Sequence, residues 1–555
     1  MVTGSCVNHE GHPPVTAGSW MRSRVWQVGA VIGAWAYVVL LHWQNDGLWY
    51  LGDSAVHAIN GAFWWDFLSR LPHDPLQFAL SYYARYPIIN PTAYPPLFYL
   101  IEGALYRIFG ISPYVPKAMV LGCLLAGALY MVAWIRRWIS EEAAWIGVLF
   151  ALQPAILIWG NAIMMNLPST VLVMAALFHT RCWLEDLRSR HIYAAGALGV
   201  MAILTYVPSA VVVPLMLGVV LVEGRLRALF TRRVLVVAGV AAMALIPWAL
   251  ITLRWASGHR RIAASMGGRP FWELASWLYY PETLPRMVTV PVLALVVLGV
   301  FFGCINKRWR PELGLAVMWL AICYVWFSFI SVKEMRYVLL LVPACLLLAA
   351  NGTAALLEAL RSMPRRLRWA PGIVLAAIVL VHVPLAYAVK VPRVSGFREI
   401  VAYTTGLVPN GWVFYSGDYD GVFAYYLRAG DEHFSRGMVR SAKLLYVTMI
   451  EPRFGMRQNV TSAVDVRQEL QQHCGCRYLV VERESQDNIP AEQYLREALR
   501  GEEFRLVRTF RVETPRVRNV DIYEFLGAGP QPQEFEMAFP LMGDGVSYRI
   551  QPIQR

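Results

Sequence analysis

The chain has 555 residues, of which 57% are hydrophobic and only 16% charged, with 21 Trp and 27 Tyr. Soluble domains run about 45–50% apolar and about 25% charged, so the composition excludes an ordinary soluble enzyme and indicates a polytopic membrane protein. The net charge of +13 does not indicate nucleic acid. The basic residues fall in short clusters beside apolar runs: Arg22 and Arg24, Arg136-Arg137, Arg225 to Arg233, Lys307 to Arg310, Arg361 to Arg368. Lysine and arginine gathered in short loops orient helices in a bilayer and meet anionic headgroups.

Residues 1–24 are polar and mixed, too long a lead for the n-region of a signal peptide, and no small-residue cleavage site follows. They read as a cytoplasmic tail ahead of a retained first span. A bilayer core needs about 20 apolar residues as helix. Val25–Trp43 meets this, with Trp26 and Trp43 as interfacial anchors. Further apolar runs follow at Leu97–Phe109, Val115–Ile135, Ala143–Trp159, Leu167–Trp183, Ile192–Val222, Val234–Ile251, Val288–Ile305, Leu313–Ile330, Tyr337–Ala350 and Ile373–Val389. Ile192–Val222 is too long for one span, and Pro208 and Pro214 divide or kink it. The expectation is a helical membrane module over 25–391 with about eleven to thirteen spans.

Arg22 and Arg24 argue for a cytoplasmic N-terminus, which places the first loop, 45–96, outside. Simple alternation would then put Arg136-Arg137 outside as well, against the charge rule. Either a short segment such as Leu97–Phe109 does not fully cross, or the rule is overridden there.

From about Pro392 the pattern changes to short β-rich runs, Trp412–Tyr415, Leu444–Ile450, Arg477–Val481, Phe504–Val512 and Asp521–Leu526. They alternate with helical patterns at Ala463–His473 and from Pro490. Residues 392–555 read as a soluble α/β domain of ordinary size. An odd number of spans would put it on the same side as the first loop. Of the eight cysteines only Cys474-Gly475-Cys476, after His473, is clustered, and it lacks the spacing of a zinc site.

Asp53 can be read in two ways. Gly52-Asp53-Ser54 precedes a helical run to Leu68, where Asp is a favoured N-cap. On that helix His57 shares its face, and Trp64, Trp65 and Phe67 would let the helix lie in the membrane interface. There the Asp53 carboxylate could act as a base on an acceptor hydroxyl. Arg85 suits a phosphate or a headgroup equally. Tyr86 and Tyr94 serve as aromatic-belt residues or as substrate contacts, and Tyr94-Pro95-Pro96 sets a helix entry. Lys333-Glu334-Met335-Arg336-Tyr337 is squeezed between two apolar runs. Such residues snorkel, or they grip a phosphate leaving group through charge-assisted bonds from Arg336 and Lys333. Asn166, at the end of a span, caps a helix or binds sugar hydroxyls. No P-loop, GxSxG, HExxH or Rossmann fingerprint occurs.

Taken together, Asp53 after the first span, Tyr94–Leu97 opening the next, Ile163-Met164-Met165-Asn166-Leu167-Pro168 and the Arg336-Tyr337…Pro343 run resemble a known family. They resemble bacterial membrane glycosyltransferases of the GT-C superfamily, in the group of the dolichyl-phosphate-mannose–protein mannosyltransferases and the aminoarabinose transferase of lipid A. Ser54 and Asn166 depart from its pattern where further acidic residues are usual. Gly417-Asp418-Tyr419-Asp420-Gly421 followed by Phe423–Arg428 looks like the soluble domains of related enzymes.

The resemblance implies a polyprenyl-phosphate-linked sugar donor, an extracytoplasmic protein, lipid or glycan acceptor, and residence in a bacterial inner membrane. Asp53 would be the general base, Arg336 a contact for the donor phosphate and Tyr337 a residue of the substrate-binding set. His57, Arg85, Tyr86, Tyr94, Asn166 and Lys333 are further candidates for substrate binding. The resemblance fixes no cofactor and leaves a divalent cation open, although Asn166 removes a carboxylate that such an ion would use. A transporter or lipid flippase would instead show inverted repeats and mid-span charges, and a catalytically degenerate relative would use the soluble domain as a receptor.

Overall fold

The computed structural model describes residues 17–90, 94–255, 268–362, 370–449, 455–485, 488–529, 535–538 and 547–550. Most of the 1–24 tail and of the Arg361–Arg368 cluster lies outside them. Among the described residues six helices are each long and apolar enough to cross a membrane, or up to eight if each of two bent pairs is one span. The chain is an integral membrane protein.

The ends of the helices are tied together in two levels, and these levels order the helical layer. Helix α1 (Ala17–Leu41) starts where α5 (Tyr114–Trp138) ends: Arg136 Nη1 donates to Gln27 Oε1 at 3.2 Å and Nη2 to Glu141 at 2.7 Å. Helix α7 (Asn166–Asp186) ends at that level too, with Glu185 bonded by Arg137 at 3.0 Å. Arg181 bonds both Glu223, after α9 (Val212–Val222), and Glu312. Arg308 reaches Glu358, and Arg361 reaches Glu142. This basic face gathers Arg24 with most of the clusters seen in the sequence.

At the opposite level, Lys117 Nζ, at the start of α5, donates to the carbonyls of His42 and Asn45. Trp49 Nε1 reaches the Asn161 carbonyl at 3.0 Å, just ahead of α7. Helices α1 and α5 are therefore antiparallel neighbours, and nothing crosses between them. The helix that intervenes, α4 (Leu97–Phe109), has 13 residues, about 20 Å at 1.5 Å per residue against a bilayer core of about 30 Å. Its Tyr106 hydroxyl lies 3.2 Å from that of Tyr425 in the C-terminal domain, so α4 stays on the far side. That places Arg136-Arg137 on the same face as Arg24, and the conflict with the charge rule disappears.

Ile192–Val222 forms two helices, α8 (Ser189–Thr205) and α9, separated at Tyr206 by a turn that contains Pro208. Helix α11 (Leu274–Met287) bends by 116° into α12 (Val290–Ile305). Between α12 and α14 (Leu341–Arg361) the backbones nearly touch. A Cβ on Gly299 would strike the Leu348 carbonyl, and one on Gly352 the Leu295 carbonyl. Small residues permit such close crossings between membrane helices, where dispersion contact stabilises association.

The C-terminal α/β domain has a five-stranded sheet in the order β2-β1-β5-β7-β6. The strands are β1 (Gly411–Ser416), β2 (Arg436–Arg440), β5 (Tyr478–Glu482), β6 (Phe504–Arg511) and β7 (Asn519–Phe525). β2, β1 and β5 are parallel, and β7 and β6 continue antiparallel. β2 was not expected: Arg436 and Arg440 bracket a buried Gly437–Val439 core too short to read as alternation. Ile450, the last residue of one expected strand, lies outside the described residues. Cys474 and Cys476, clustered without the spacing of a zinc site, form a disulfide.

Candidate functional site

The first loop folds as α2 (Asp53–Arg70) and α3 (Pro75–Arg85), and α2 does not lie free in an interface. It is packed between α4 and α17 (Asp420–Ala429) of the C-terminal domain, with Ala55, His57, Ala58, Ile59, Phe63 and Asp66 buried. An ionic lock holds the stack together. Asp66 Oδ2 accepts from Arg428 Nη2 at 2.6 Å and from the Tyr82 hydroxyl at 2.9 Å, while the Tyr86 hydroxyl donates to Asp431 at 2.9 Å. Tyr86 thus joins the loop to the C-terminal domain.

Asp53 is the first residue of α2, Gly52 holds the cap position, and no side chain caps the helix. The carboxylate faces Arg336 instead, with Nη1 2.7 Å from Oδ2. Arg336 sits on a tight turn, Met335–Val338, between α13 (Arg310–Ser328) and α14. Its Nη2 donates to Glu334 Oε1 at 3.1 Å, and Nε lies 2.6 Å from Oε2 but off the hydrogen-bond direction. The guanidinium stacks over Tyr50, 4.5 Å from the ring centroid, and the Tyr50 hydroxyl donates to Glu334 at 2.7 Å. Burial works against its charge, yet Asp53 and Glu334 outweigh burial and hold Arg336 more firmly protonated than a free arginine.

These groups open on a cavity of about 510 Å³, within the range of ligand pockets. Asp53, Tyr94, Glu334, Arg336 and Tyr337 line it, and Asp420 and Arg440 enter from the C-terminal domain. The other expected residues lie elsewhere. His57 is buried behind Tyr94, 4.8 Å between ring centroids, with Nδ1 2.6 Å from the Tyr99 hydroxyl. Burial pushes it down to about 4, so it is neutral at pH 7. Lys333 Nζ donates to the carbonyls of Phe327, Ser328 and Ile330, ending α13 as lysines commonly do. Asn166 is buried at the start of α7. Arg85 and Tyr86 are not among the lining residues.

Among solved structures, ArnT from Cupriavidus metallidurans in the apo state matches with a TM-score of 0.60 at 16% identity, over 93% of this chain and 100% of that one. ArnT bound to undecaprenyl phosphate matches at 0.57 and 15%, with the same coverage. The archaeal oligosaccharyltransferase AglB from Archaeoglobus fulgidus, in complex with an inhibitory peptide and a dolichol-phosphate, matches at 0.53 and 11%, over 83% of this chain and 70% of that one. The chain has the GT-C fold. No protein-family model and no curated protein matches its sequence.

In this fold two carboxylates, Asp53 and Glu334, are bridged by the Arg336 guanidinium. Among the described residues no group of three His, Cys, Asp or Glu could hold a metal ion. Between Asp53 and Glu334 the Arg336 guanidinium takes the position that a divalent cation would need.

Tyr50, Glu334, Asp420 and Arg440 were not singled out as site residues from the sequence. Glu334 carried a signal, being ionisable at the edge of a span. Asp420 lay in the Gly417–Gly421 segment without an evident role. Arg440, at the end of a strand 104 residues beyond Arg336, offered none.

Proposed function

We propose that the chain is a glycosyltransferase that moves a sugar from a polyprenyl-phosphate donor to an acceptor hydroxyl or amide on the site face, with inversion. One observation carries this reading: a carboxylate and a guanidinium from distant segments meet at 2.7 Å on a cavity open between the helical layer and the C-terminal domain. The fold match to ArnT with undecaprenyl phosphate and to AglB with dolichol-phosphate supports a lipid-linked donor.

In the reaction Asp53 takes the proton of the acceptor as its heteroatom attacks the anomeric carbon. The bond from that carbon to the phosphate oxygen breaks, and the electron pair leaves on polyprenyl phosphate. A positioned base contributes about 10²–10⁴ in rate. Arg336 orients Asp53, and its Nη2 and Nε turn from Glu334 towards the departing phosphate, whose growing charge they stabilise. Tyr50 stays on Glu334, so the released carboxylate keeps a donor. Tyr94 and Tyr337 wall the sugar. The clustering of basic residues opposite the site supports a cytoplasmic assignment of that face by the charge rule, with the site and the C-terminal domain outside. A bacterial inner membrane, and a protein, lipid or glycan acceptor, fit this placement.

The test is transfer itself. Membranes carrying the protein, given radiolabelled polyprenyl-phosphate sugars, should pass label to an endogenous acceptor. Absence of transfer from every donor, with the protein folded and inserted, would refute the reading.

A further inference from the structure

The transfer step leaves two charged residues of the cavity unused. Asp420 begins α17, and Arg440 ends β2. They form an ion pair, and Arg440 Nη1 donates to the Pro87 carbonyl at 3.1 Å. Among the described residues Arg440 Nε is buried with no hydrogen-bond partner. Asp420 is delivered by a fixed turn: the buried Glu482 carboxylate accepts from the Tyr415 hydroxyl, from Asp418 N at 2.9 Å and from Tyr419 N at 2.7 Å. A carboxylate that only accepts and a guanidinium whose Nη1 and Nη2 each carry a second N–H thus stand side by side on the wall contributed by the C-terminal domain.

Charge decides what such a pair can bind. The lining holds three carboxylates, Asp53, Glu334 and Asp420, against two guanidiniums, Arg336 and Arg440. An anion arriving at Arg440 would displace Asp420 and leave a carboxylate uncompensated in a cavity that must also take a donor phosphate. Breaking a buried pair in this way is strongly unfavourable. A cation brought against Asp420 would crowd the Arg440 guanidinium. Neutral hydroxyls displace nothing, because each can give its proton to the carboxylate and accept an N–H from the guanidinium.

We propose that Asp420 and Arg440 are a sugar-reading pair, through which the C-terminal domain hydrogen-bonds the hydroxyls of an uncharged hexosyl group on the donor. The site then takes neutral sugars and rejects uronic acids. This rests on the reading of the cavity as a polyprenyl-phosphate donor site.

Binding to purified full-length protein in detergent tests both, with four probes: polyprenyl phosphate, polyprenyl-phosphate mannose, polyprenyl-phosphate glucose and polyprenyl-phosphate glucuronate. At least one neutral hexosyl group should raise affinity about tenfold over bare polyprenyl phosphate, as charge-assisted hydrogen bonds do, and the glucuronate should add nothing. Asp420→Asn and Arg440→Gln should abolish the hexosyl increment and leave the affinity for bare polyprenyl phosphate within about twofold. Arg440→Lys, which keeps a charge beside Asp420 but loses the fork, should lose most of the increment. Glucuronate binding as tight as the hexoses would overturn the proposal without any variant. So would variants that keep the increment, or that lose affinity for bare polyprenyl phosphate and so mark Arg440 as a phosphate contact. If the wild-type protein binds no polyprenyl phosphate, the donor reading itself fails, and the proposal with it.

Discussion

Asp53→Asn separates a base from a structural ion pair. The amide keeps the shape and can still accept from Arg336 Nη1, and Arg336 retains Glu334 through Nη2 in any case. The Asp53 side chain is 30% exposed, so water screens part of the attraction and the loss in stability should be about 1 kcal/mol. Removing a general base costs about 10²–10⁴ in rate, or ~3–5 kcal/mol of barrier at 1.36 kcal/mol per tenfold. The effect on rate should therefore exceed the effect on stability several-fold. Transfer from labelled donor in membranes, with the thermal midpoint of the purified protein alongside, measures both. Glu334→Gln removes the other carboxylate on Arg336 and serves as the comparison, with transfer falling far less than in Asp53→Asn. Asp53→Asn activity within threefold of the wild type would refute the assignment of the base.

Two further outcomes follow from the C-terminal domain. Asp66→Asn leaves the Arg428 charge without its partner where both side chains are under 10% exposed. It should destabilise the docked domain by ~3–5 kcal/mol, seen as earlier proteolysis of residues after 392; proteolysis unchanged from the wild type would mean the lock contributes little. Burial pushes Glu482 up to about 8, well above an ordinary glutamate. The folded state therefore holds this proton where the unfolded state does not, and its stabilisation is present below about pH 4.5 and lost as pH rises through 8. Hydrogen exchange of the Tyr478–Glu482 amides, corrected for intrinsic rates, should speed up between pH 5 and 8, and Glu482→Gln should flatten that slope. A flat wild-type profile would contradict it.

The apolar runs and their flanking arginines were legible because lipid imposes a composition, so the helical membrane module could be read in advance; the side of Arg136-Arg137 could not, because it depends on whether the short α4 crosses. Asp53 and Arg336 were legible as separate signals: one follows the first span, the other opens a late one. Their pairing was not, because no local pattern relates residues 283 positions apart. Lys333 looked like a phosphate ligand because a charge beside a span invites that reading. The free carbonyls at the end of α13 take its ammonium first. The helix after Asp53 looked interfacial because Trp64, Trp65 and Phe67 belong at a membrane surface. A domain encoded three hundred residues later covers it, and its buried Asp66 and His57 make sense only against that cover. Asp420 and Arg440 were beyond reach for the same reason: each is ordinary in its own strand or helix, and only docking brings them to the cavity.

That docking also sets an order of events during synthesis. Asp53 and Asp66 are made early, but Arg336 follows Asp53 by 283 residues and Arg428 follows Asp66 by 362. At about 5–20 residues per second, each carboxylate waits roughly 15–70 s for its guanidinium. Throughout that interval α2 has no roof, and its apolar side is exposed on the far side of the membrane. The nascent chain therefore carries an unroofed first loop until residue 428 of 555 is translated, and a ribosome that stops before Arg428 releases a protein with its spans in place and its candidate site unclosed.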